Sequence, residues 1–509
     1  MGVPDLWEIV LPSRKGASLE ALAYAHFFRT GRFFKVGVDI SIWFAKQQTG
    51  LKSKHIGSHA QLGQNPELRN IFLRVSRLSA LPIILLAVFD GPNRPSKKRK
   101  AAVSSSPHWM TARTKEIFTA FGHYYHMAPG EAEAELSYLN QAGCIDAVLT
   151  DDSDALVFGA QFVIRNPHDK KHPDSVFTYD ARDFGSQPET PILPDGMLLF
   201  AILRGGDYHS GLHNCGKVTA YDLTNTTLGT ILRFAAEDYT RTKLRHFLDE
   251  NWVPDLKCQL TFNSDSFLKK RQPKVASCIP SNFPDVQTVY HYVRPVITTS
   301  VTTAPVVSLP DFADVVNVPL LGSLCDRLFS WGIDNIMTKK LEKTVWPSVC
   351  VRKLLKGHVK DVVSLNSIKS ITSELNVLIC TEFDISRLPL LAVSLLPGVD
   401  ATNADTKLTL WLPAAIFDAD SLLVEELQNK YRQQKQTAPV KAKIQLLDRA
   451  FKIFSSASLP DTPTTSIRSD PASLASPSAI TVDVSGFEYA RASAGVGPND
   501  NIIDLTLED

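Results

Sequence analysis

The chain has 509 residues, of which 44% are hydrophobic, and a formal net charge of +1, so it can form two or three domains with apolar cores. The longest apolar run, residues 81–89, is too short to cross a membrane, and the start of the chain lacks the shape of a signal peptide. Seven scattered cysteines form no CxxC pair, which argues against a cysteine zinc site and a disulfide framework. We therefore expect a soluble intracellular protein in a reducing compartment.

The first part of the chain, residues 1–230, alternates short apolar runs with helical patterns. Buried strands are predicted at residues 35–40, 83–89, 146–150 and 161–165. Apolar residues at helical spacing predict helices at 66–80 and 131–141. This alternation favours an α/β fold with a mostly parallel central sheet flanked by helices, in which sites form beyond the carboxyl ends of the strands.

The rest of the chain changes character twice. Residues 205–365 read as mainly helical. Residues 366–450 read as a small separate β-rich module, with strands at 388–396 and 407–412 and a helix at 419–434. Residues 455–509 are rich in Ser, Pro, Thr and Asp and poor in aromatic residues, which predicts a disordered tail.

Acidic residues stand at the predicted strand ends and in two clusters between apolar runs. The set is Asp39, Asp90, Glu131, Glu133, Asp152, Asp154 and Asp207. Taken singly, each acid also fits a turn, a cap or the first turn of a helix. Taken together, carboxylates in a folded core repel one another and are costly to bury unless cations neutralise them. Mg²⁺ or Mn²⁺ would suit such oxygen ligands, and a paired-metal site is suited to cutting phosphodiesters.

Short motifs that contain these acids share one order with a known family. They are GVPDLW at 2–7, VD at 38–39, VFDG at 88–91, GEAEA at 130–134, DSD at 152–154 and GDY at 206–208. Over residues 1–365 this series resembles the XPG-type flap-endonuclease superfamily. The opening GVPDLW and the lack of a long insertion between Asp90 and Glu131 resemble its Holliday-junction-resolving subgroup. Residues 262–295 resemble fungal members of that subgroup.

The resemblance implies a PIN-like nuclease core at 1–230 and a helix–two-turn–helix with a helical DNA-binding region at 205–365. It also implies a chromo-like module at 366–450. The seven acids would bind two Mg²⁺ ions, with Mn²⁺ as a substitute, and would cut phosphodiesters in structured DNA. No side-chain nucleophile is expected, because such hydrolysis needs only positioning and charge stabilisation. Lys97 lies where a family lysine positions the scissile phosphate.

A basic stretch supports a nucleic-acid substrate. Residues 94–115 contain seven Lys or Arg residues and no acid, and phosphate contacts by such residues make binding steeply salt-dependent. In the family this region forms an arch over the active site. Its candidate DNA contacts are Arg94, Lys97, Lys98, Arg99 and Lys100. The KKRK run by itself also fits a nuclear-localisation signal.

The glycines after Asp207 resemble the helix–two-turn–helix of the family. Gly211, Gly216 and Lys217 would contact a phosphodiester there, often beside a monovalent cation. Asn214 stands where the family usually has a second glycine. Asn tolerates the left-handed conformation, so the turn can survive, but the cation site stays open. The alternative is an ordinary glycine turn.

Aromatic residues and the first glycine complete the predicted DNA contacts. The resemblance implies that Trp43 and Phe44 meet a base near the cut or wedge the duplex, and that Gly2 contacts DNA. Burial of Trp43 and Phe44 as core aromatics is an equally open alternative. Trp411 and Phe417 are candidates for the apolar surface of the chromo-like module, for either a DNA contact or packing.

The end of the tail resembles a SUMO-interacting motif. Its residues are Ile502, Ile503, Asp504 and Leu505, a β-prone cluster beside acids that suits strand addition to a partner's sheet edge. The implied partner is SUMO or a SUMOylated protein. We expect a nuclear location and no membrane partner.

These observations predict a phosphodiester hydrolase that resolves Holliday junctions and cuts 5′ flaps and forks in recombination and repair. Because a four-way junction is two-fold symmetric, we expect a monomer in solution that dimerises on junctions. Three alternatives stay open: a flap or fork endonuclease without junction resolution, a non-catalytic DNA-binding scaffold, and a PIN-type ribonuclease.

Overall fold

The computed structural model describes most of the chain up to residue 455. The described ranges are 2–52, 64–95, 97–98, 101–102, 106–166, 174–188, 190–301, 307–332, 336–370, 377–399, 401, 404–418, 421–434 and 438–455. Arg99, Lys100, the tail residues Ile502, Ile503, Asp504 and Leu505, and the predicted disordered segment after residue 455 lie outside the described residues.

The described residues form three sheets. Their strands are β1 Lys15–Ser18, β2 Phe34–Asp39, β3 Ile83–Phe89, β4 Lys97–Lys98, β5 Ala101–Ala102, β6 Tyr124–Met127, β7 Ala147–Leu149, β8 Phe162–Arg165, β9 Ser175–Asp180, β10 Val362–Ser370, β11 Val377–Asp384 and β12 Lys407–Pro413. The central sheet has the order β1-β9-β8-β7-β2-β3-β6. Strands β6, β3, β2, β7 and β8 run parallel, and β9 and β1 add an antiparallel edge.

Helices cover the central sheet and make up the middle of the chain. The first group is α1 Leu6–Ile9, α2 Leu19–Thr30, α3 Ile40–Lys52, α4 Pro66–Ser79, α5 Thr111–Ala120, α6 Ala132–Gln141, α7 Asp154–Val157, α8 Ala181–Phe184 and α9 Pro194–Arg204. The second is α10 Lys217–Leu223, α11 Leu228–Asp238, α12 Arg241–Phe247, α13 Val253–Phe262, α14 Pro273–Ser277, α15 Val286–Val293, α16 Thr298–Val301, α17 Val318–Phe329, α18 Ile336–Thr344 and α19 Trp346–Leu355. The last is α20 Arg387–Val393, α21 Leu422–Gln433 and α22 Ala438–Ser455. Single 3₁₀ turns lie at Leu11–Ser13, Val359–Asp361 and Ala414–Ile416, and a π-helical turn lies at Leu248–Trp252.

The composition of β3 explains why this strand lies at the centre of the fold. All seven of its residues, the run IILLAVF, are buried. A continuous apolar strand of this kind needs cover on both faces, which a parallel sheet between helix layers provides. Helix α4 supplies part of that cover, because Leu68, Ile71, Phe72 and Val75 are buried at helical spacing. The predicted mostly parallel α/β core is thereby confirmed.

The β-rich module differs in part from its prediction. Strands β10, β11 and β12 form an antiparallel sheet that begins at Val362, and the strand predicted at 407–412 is β12. The strand predicted at 388–396 is wrong, because residues 388–393 belong to helix α20 and residues 394–396 form the turn that follows it. Leu388 and Ala392 are buried four residues apart, and Ala392 packs closely on Gly322 of α17. An apolar run of this length fits either a strand or a buried helix, and here the contact with α17 fixes the helix.

None of the helices in the described ranges combines the length and the apolar character that crossing a membrane would require.

Candidate active site

Four neighbouring parallel strands place acids along one edge of the central sheet. Asp39 ends β2 and lies opposite Val88 of β3, so Asp90 follows directly at the same edge. Asp152 follows β7, which pairs with the other side of β2, and Glu131 follows β6, which pairs with β3. The carboxyl ends of parallel strands share an edge, and this is where α/β sheets form their sites. The fold therefore places these acids at the carboxyl ends of the strands, as the sequence predicted.

A serine joins the first two acids. The Ser41 N–H donates to Asp39 Oδ1 at 2.8 Å, and the Ser41 hydroxyl donates to Asp90 Oδ2 at 2.9 Å. The other oxygen of Asp90 accepts from the Ala132 N–H at 3.0 Å, at the start of α6. Hydrogen bonds from Ser41 thus connect Asp39 to Asp90, and a further hydrogen bond connects Asp90 to Ala132, the residue after Glu131.

Hydrogen bonds also connect the backbone after Asp90 to the backbone before Glu131. The Gly91 N–H donates to the Gly130 carbonyl at 2.7 Å, and the Asn93 N–H donates to the Pro129 carbonyl at 3.0 Å. A side chain at position 91 would collide with the carbonyls of residues 128 and 129. Glycine at this position therefore lets the two acid-bearing turns approach each other closely.

Tyr208 connects the end of α9 to the same edge. Its hydroxyl donates a short hydrogen bond to Glu131 Oε2, and it directly follows Asp207. Burial raises the pKa of the Tyr208 hydroxyl well above its ordinary value, and the charges of Glu131 and Asp154 add to this rise. Tyr208 therefore stays a neutral hydrogen-bond donor, and it lies near two of the predicted metal ligands, Glu131 and Asp154.

The amino terminus closes over the remaining acids. The Asp154 N–H donates to Asp152 Oδ1 at 3.0 Å, and the Ser153 hydroxyl donates to the Val3 carbonyl at 3.1 Å. Gly2 has a φ of 77°, and a Cβ there would touch Asp152 Oδ1 and lie 2.7 Å from Asp154 Oδ1. Only glycine fits so close to both carboxylates.

The helix that follows Gly130 carries three glutamates with different surroundings. Glu131 precedes the first residue of α6, and Glu133 is buried in its first turn. Glu135 is fully buried, and burial alone would raise its pKa. Hydrogen bonds from His126 and Thr298 outweigh that effect and lower the pKa of Glu135 below its ordinary value. Glu135 thus serves to fix α6 against the segment at Thr298.

The acids fit a magnesium site of an open kind. Six of the seven predicted ligands are buried. Burying a carboxylate without a compensating charge lowers the stability of a fold by about several kcal/mol. Within the part of the chain that the structure describes, no three His, Cys, Asp or Glu side chains already stand close enough to hold one ion directly. Mg²⁺ usually takes one or two carboxylates, keeps several waters and shares substrate phosphates. Paired acids along an edge match that preference better than a closed cage would.

The predicted arch is described only in part. The backbones of β4 and β5 form a short antiparallel ribbon that contains Lys97 and Lys98, whose side chains lie outside the description. Arg94 forms an ion pair with Asp90, with 3.2 Å between the guanidinium Nη1 and Oδ2. This contact places Arg94 beside the acid edge, so a phosphate bound by Arg94 would lie near the acids.

The glycine turn after Asp207 has the predicted backbone. Asn214 lies in the left-handed region with a φ of 62°, so it takes the conformation that the sequence required of it. Gly211 has a φ of 75° and packs against the end of α9, and Gly216 precedes the first residue of α10. Lys217 forms a surface ion pair with Glu8 at 2.5 Å. Exposed pairs are weak, so a phosphate can replace Glu8.

Trp43 and Phe44 lie in the core. Only 2% and 5% of their surfaces are exposed. The Arg74 guanidinium carbon lies 3.9 Å from the centre of the Trp43 ring, and burial lowers the pKa of Arg74 to about 10. Phe44 stacks on His108 with 4.7 Å between ring centres. This placement agrees with the core-aromatic alternative and leaves neither ring free to meet a base. In the β-rich module, Trp411 is partly exposed and Phe417 is buried.

Sequence reasoning did not assign a role to two residues at this edge. Ser41 joins two acids through its backbone and hydroxyl, and Tyr208 holds Glu131. A serine two residues after Asp39 is common in turns and gives no signal. Tyr208 follows Asp207 inside the GDY motif, so the sequence indicated that it lies near the site. The residue that accepts its hydrogen bond, Glu131, is 77 residues away in the sequence and could not be identified from the motif.

We expect Tyr208→Phe to lower the cleavage rate about tenfold, because Glu131 loses a charge-assisted hydrogen bond worth roughly 1.5 kcal/mol. The matched control is Tyr221→Phe, since the Tyr221 hydroxyl donates to the Pro191 carbonyl at the surface. Single-turnover cleavage of a branched DNA would measure both. Equal rates for the two variants would show that Tyr208 does not position Glu131.

Comparison with known proteins agrees with this geometry. The XPG I-region family model matches residues 122–207. The flap endonuclease GEN homolog 1 of Mus musculus is 30% identical over 251 residues, which is 46% of this chain and 26% of that protein. The Holliday junction resolvase YEN1 of Saccharomyces cerevisiae is 23% identical over 301 residues, covering 43% of this chain and 39% of that protein. The matched region thus spans well under half of these relatives.

A solved structure matches a larger share of the chain. The crystal structure of the Holliday junction-resolving enzyme GEN1 with product DNA and Mg²⁺ superposes with a TM-score of 0.66. It is 26% identical and covers 85% of this chain and 100% of the solved chain. The chain is therefore similar to the XPG I-region family over residues 122–207 and shares its fold with this junction-resolving enzyme.

Proposed function

We propose that this chain is a Mg²⁺-dependent, structure-selective DNA endonuclease that resolves Holliday junctions and also cuts 5′ flaps. The observation that carries the proposal is the row of acids at the ends of four adjacent parallel strands, closed by Gly2 and Tyr208. A protein that only binds DNA gains nothing from buried carboxylates, because they repel phosphates. This argues against the non-catalytic scaffold.

We assign the residues to two groups, one that would bind the metal ions and one that would bind DNA. Asp39, Asp90, Glu131, Asp152 and their neighbours Glu133, Asp154 and Asp207 would hold two Mg²⁺ ions. A bound pair of such ions supplies an activated water and stabilises the leaving oxygen. Tyr208 keeps Glu131 oriented, and Ser41 keeps Asp39 and Asp90 in register. Arg94 and Lys97 would hold the phosphate to be cut.

The glycine turn favours a DNA duplex over a single-stranded RNA. Backbone groups at Gly211 and Gly216 and the side chain of Lys217 are arranged at one exposed turn, where they can contact a phosphodiester. Contacts to the phosphates of a regular duplex fix its position relative to the acid edge. A ribonuclease for single strands has no need for such a second holding point.

The symmetry of the substrate decides the expected assembly. A four-way junction has two equivalent strands to cut, so we propose a monomer in solution that forms a dimer on the junction. A location in the nucleus and SUMO binding through Ile502, Ile503, Asp504 and Leu505 are further proposals. They rest on the sequence resemblance of the KKRK run and of the tail.

One assay would test the reaction and the substrate together. Purified protein is incubated with end-labelled four-way junction, 5′ flap and single-stranded RNA, each with Mg²⁺, with Mn²⁺ or with chelator, and the cuts are mapped. We expect Mg²⁺-dependent, paired, symmetric cuts in the junction and a single cut near the base of the flap. Flap cutting alone would support the flap endonuclease, preferred cutting of RNA would support the ribonuclease, and binding without cutting would support the scaffold.

A further inference from the structure

The loop between α13 and α14 is held rigidly in place. Asn263 ends α13 with a φ of 55°, and its amide exchanges two 2.8 Å hydrogen bonds with the backbone of Leu268. Leu268 is buried, and the Gln272 N–H donates to the Leu260 carbonyl at 2.6 Å. These contacts fix both ends of the loop against α13.

A third contact ties the same loop to the helix after the glycine turn. The Lys269 N–H donates to Asp222 Oδ2 at 3.0 Å, and Asp222 is a buried residue of α10. Asp222 lies five residues after Lys217, which corresponds to about 8 Å along the helix at a rise of about 1.5 Å per residue. The loop is therefore fixed to α10, the helix that begins at the predicted phosphate contact Lys217.

Three cations project from this fixed loop, and a fourth projects from the start of α14. Lys269, Lys270, Arg271 and Lys274 are all exposed. Among the residues that the structure describes, none of the four forms an ion pair, and Asp265, on the preceding turn, is also exposed and makes none with them. We name Lys269, Lys270, Arg271 and Lys274 the basic loop. Four like charges within six residues repel one another, so an anionic partner that neutralises them would be favoured.

We propose that the basic loop binds the phosphate backbone of a duplex DNA arm and extends the binding surface that begins at the glycine turn. This inference rests on the proposed function, because it takes branched DNA as the substrate. Phosphates on one strand follow one another at about 3.4 Å along the duplex axis, so a duplex arm offers a continuous row of phosphates to cations held on neighbouring elements. A duplex held at Lys217 can thus present its next phosphates to the basic loop. Its rigid backbone lowers the ordering cost of these contacts.

The affinity of the protein for a branched DNA would then depend on the length of the duplex arm. A long arm reaches both the glycine turn and the loop, whereas an arm that ends at the glycine turn gains nothing from the loop. The contacts are to phosphates, so they strengthen binding without any preference for base sequence. Substrates with long, regular arms are therefore favoured over short hairpins.

Binding measurements with and without the four charges test the proposal. The variant K269Q/K270Q/R271Q/K274Q and the wild-type protein are titrated with a chelated, long-armed four-way junction at several salt concentrations. We expect about tenfold weaker binding for the variant and a salt dependence of log K shallower by about 2 to 3, since each lost phosphate contact removes about 0.9. With arms of about 6 base pairs, the difference between the proteins should shrink, because the loop then has little duplex to meet.

Three further variants make the result specific. R14Q/K15Q/R29Q/R182Q removes four exposed cations on or next to β1, α2 and α8, outside the helical region at 205–365. F262S/F267S changes two exposed rings beside the basic loop without altering its charge. K269R/K270R/R271K/K274R keeps the charges. We expect wild-type affinity and salt dependence from all three.

The outcomes separate this inference from the proposed function. Wild-type affinity and salt dependence for the first variant would overturn the inference, and so would an equal loss in R14Q/K15Q/R29Q/R182Q or in F262S/F267S. Thermal melting of each protein identifies a loss caused by misfolding, and in that case the single variants K269Q, K270Q, R271Q and K274Q, measured in the same titrations, carry the test. If the wild-type protein cuts no branched DNA, the proposed function fails. If it cuts while the first variant binds normally, only this inference fails.

Discussion

Asp152→Asn is expected to slow DNA cleavage by about a thousandfold, which corresponds to roughly 4 kcal/mol of lost transition-state stabilisation, while leaving DNA binding intact. The substitution keeps the shape of the side chain and the oxygen that accepts from the Asp154 N–H at 3.0 Å. It removes one negative charge from the edge where β7, β2, β3 and β6 end. Cation binding depends on that charge, whereas the phosphates of DNA are repelled by it. Single-turnover cleavage in Mg²⁺ and junction binding in chelator measure the two effects separately.

The matched control lies at the opposite end of the same strand. Asp146 precedes β7, and its carboxylate accepts from the Arg32 guanidinium at 2.7 and 2.8 Å and from the Lys35 N–H at 2.8 Å. Burial would raise the pKa of Asp146, but these bonds lower it below its ordinary value. Asp146→Asn should therefore lower the melting temperature and leave cleavage unchanged below it. If Asp152→Asn retains more than about a tenth of the wild-type rate, the acid edge is not the catalytic site.

Gly2→Ala is expected to reduce the cleavage rate about a hundredfold, because a misplacement of about 1 Å in a catalytic group can have an effect of that size. The added Cβ would overlap Asp152 Oδ1 and lie 2.7 Å from Ser153 Oγ and Asp154 Oδ1. The φ of 77° adds a strain of about 1 kcal/mol for any residue with a Cβ. Either the first residues or the two carboxylates must move. Turnover at saturating substrate reports the loss, and thermal melting shows that the fold survives.

Gly16→Ala provides the comparison for this substitution. Gly16 lies in β1, and a Cβ there meets no atom within 4 Å. The same change of residue type should therefore leave cleavage at the wild-type rate. Cleavage by Gly2→Ala at the rate of Gly16→Ala would mean that the amino terminus leaves the acids when DNA binds.

Local sequence was sufficient for the elements of the central sheet. The strand predicted at 83–89 matches β3 residue for residue, since the seven consecutive apolar residues between Pro82 and Asp90 form a short strand that is covered on both faces. The helix predicted at 66–80 ends one residue early, at Ser79. The acids at strand ends could be placed along one edge for the same reason. Parallel strands end together, so the order of strands and acids in the sequence already implied their shared edge.

Position in the folded chain decided other features. Residues 388–396 are as apolar as a strand, yet residues 388–393 form most of α20 because Gly322 of α17 admits the backbone at Ala392. Trp43 and Phe44 could have met DNA or packed in the core, and contacts with Arg74 and His108 place them inside. In each case the deciding neighbour is distant in sequence, so no local pattern could reveal it.

The sequence by itself determined which residues carry charge, which runs are apolar and in what order the acids follow the strands. The tertiary structure alone decided that Tyr208 holds Glu131, that Gly2 lies against Asp152, and that Asp222 fixes the basic loop against α10. The physical reason is that periodicity and composition act within a few residues. Hydrogen bonds and close contacts between remote segments depend on how the whole chain packs.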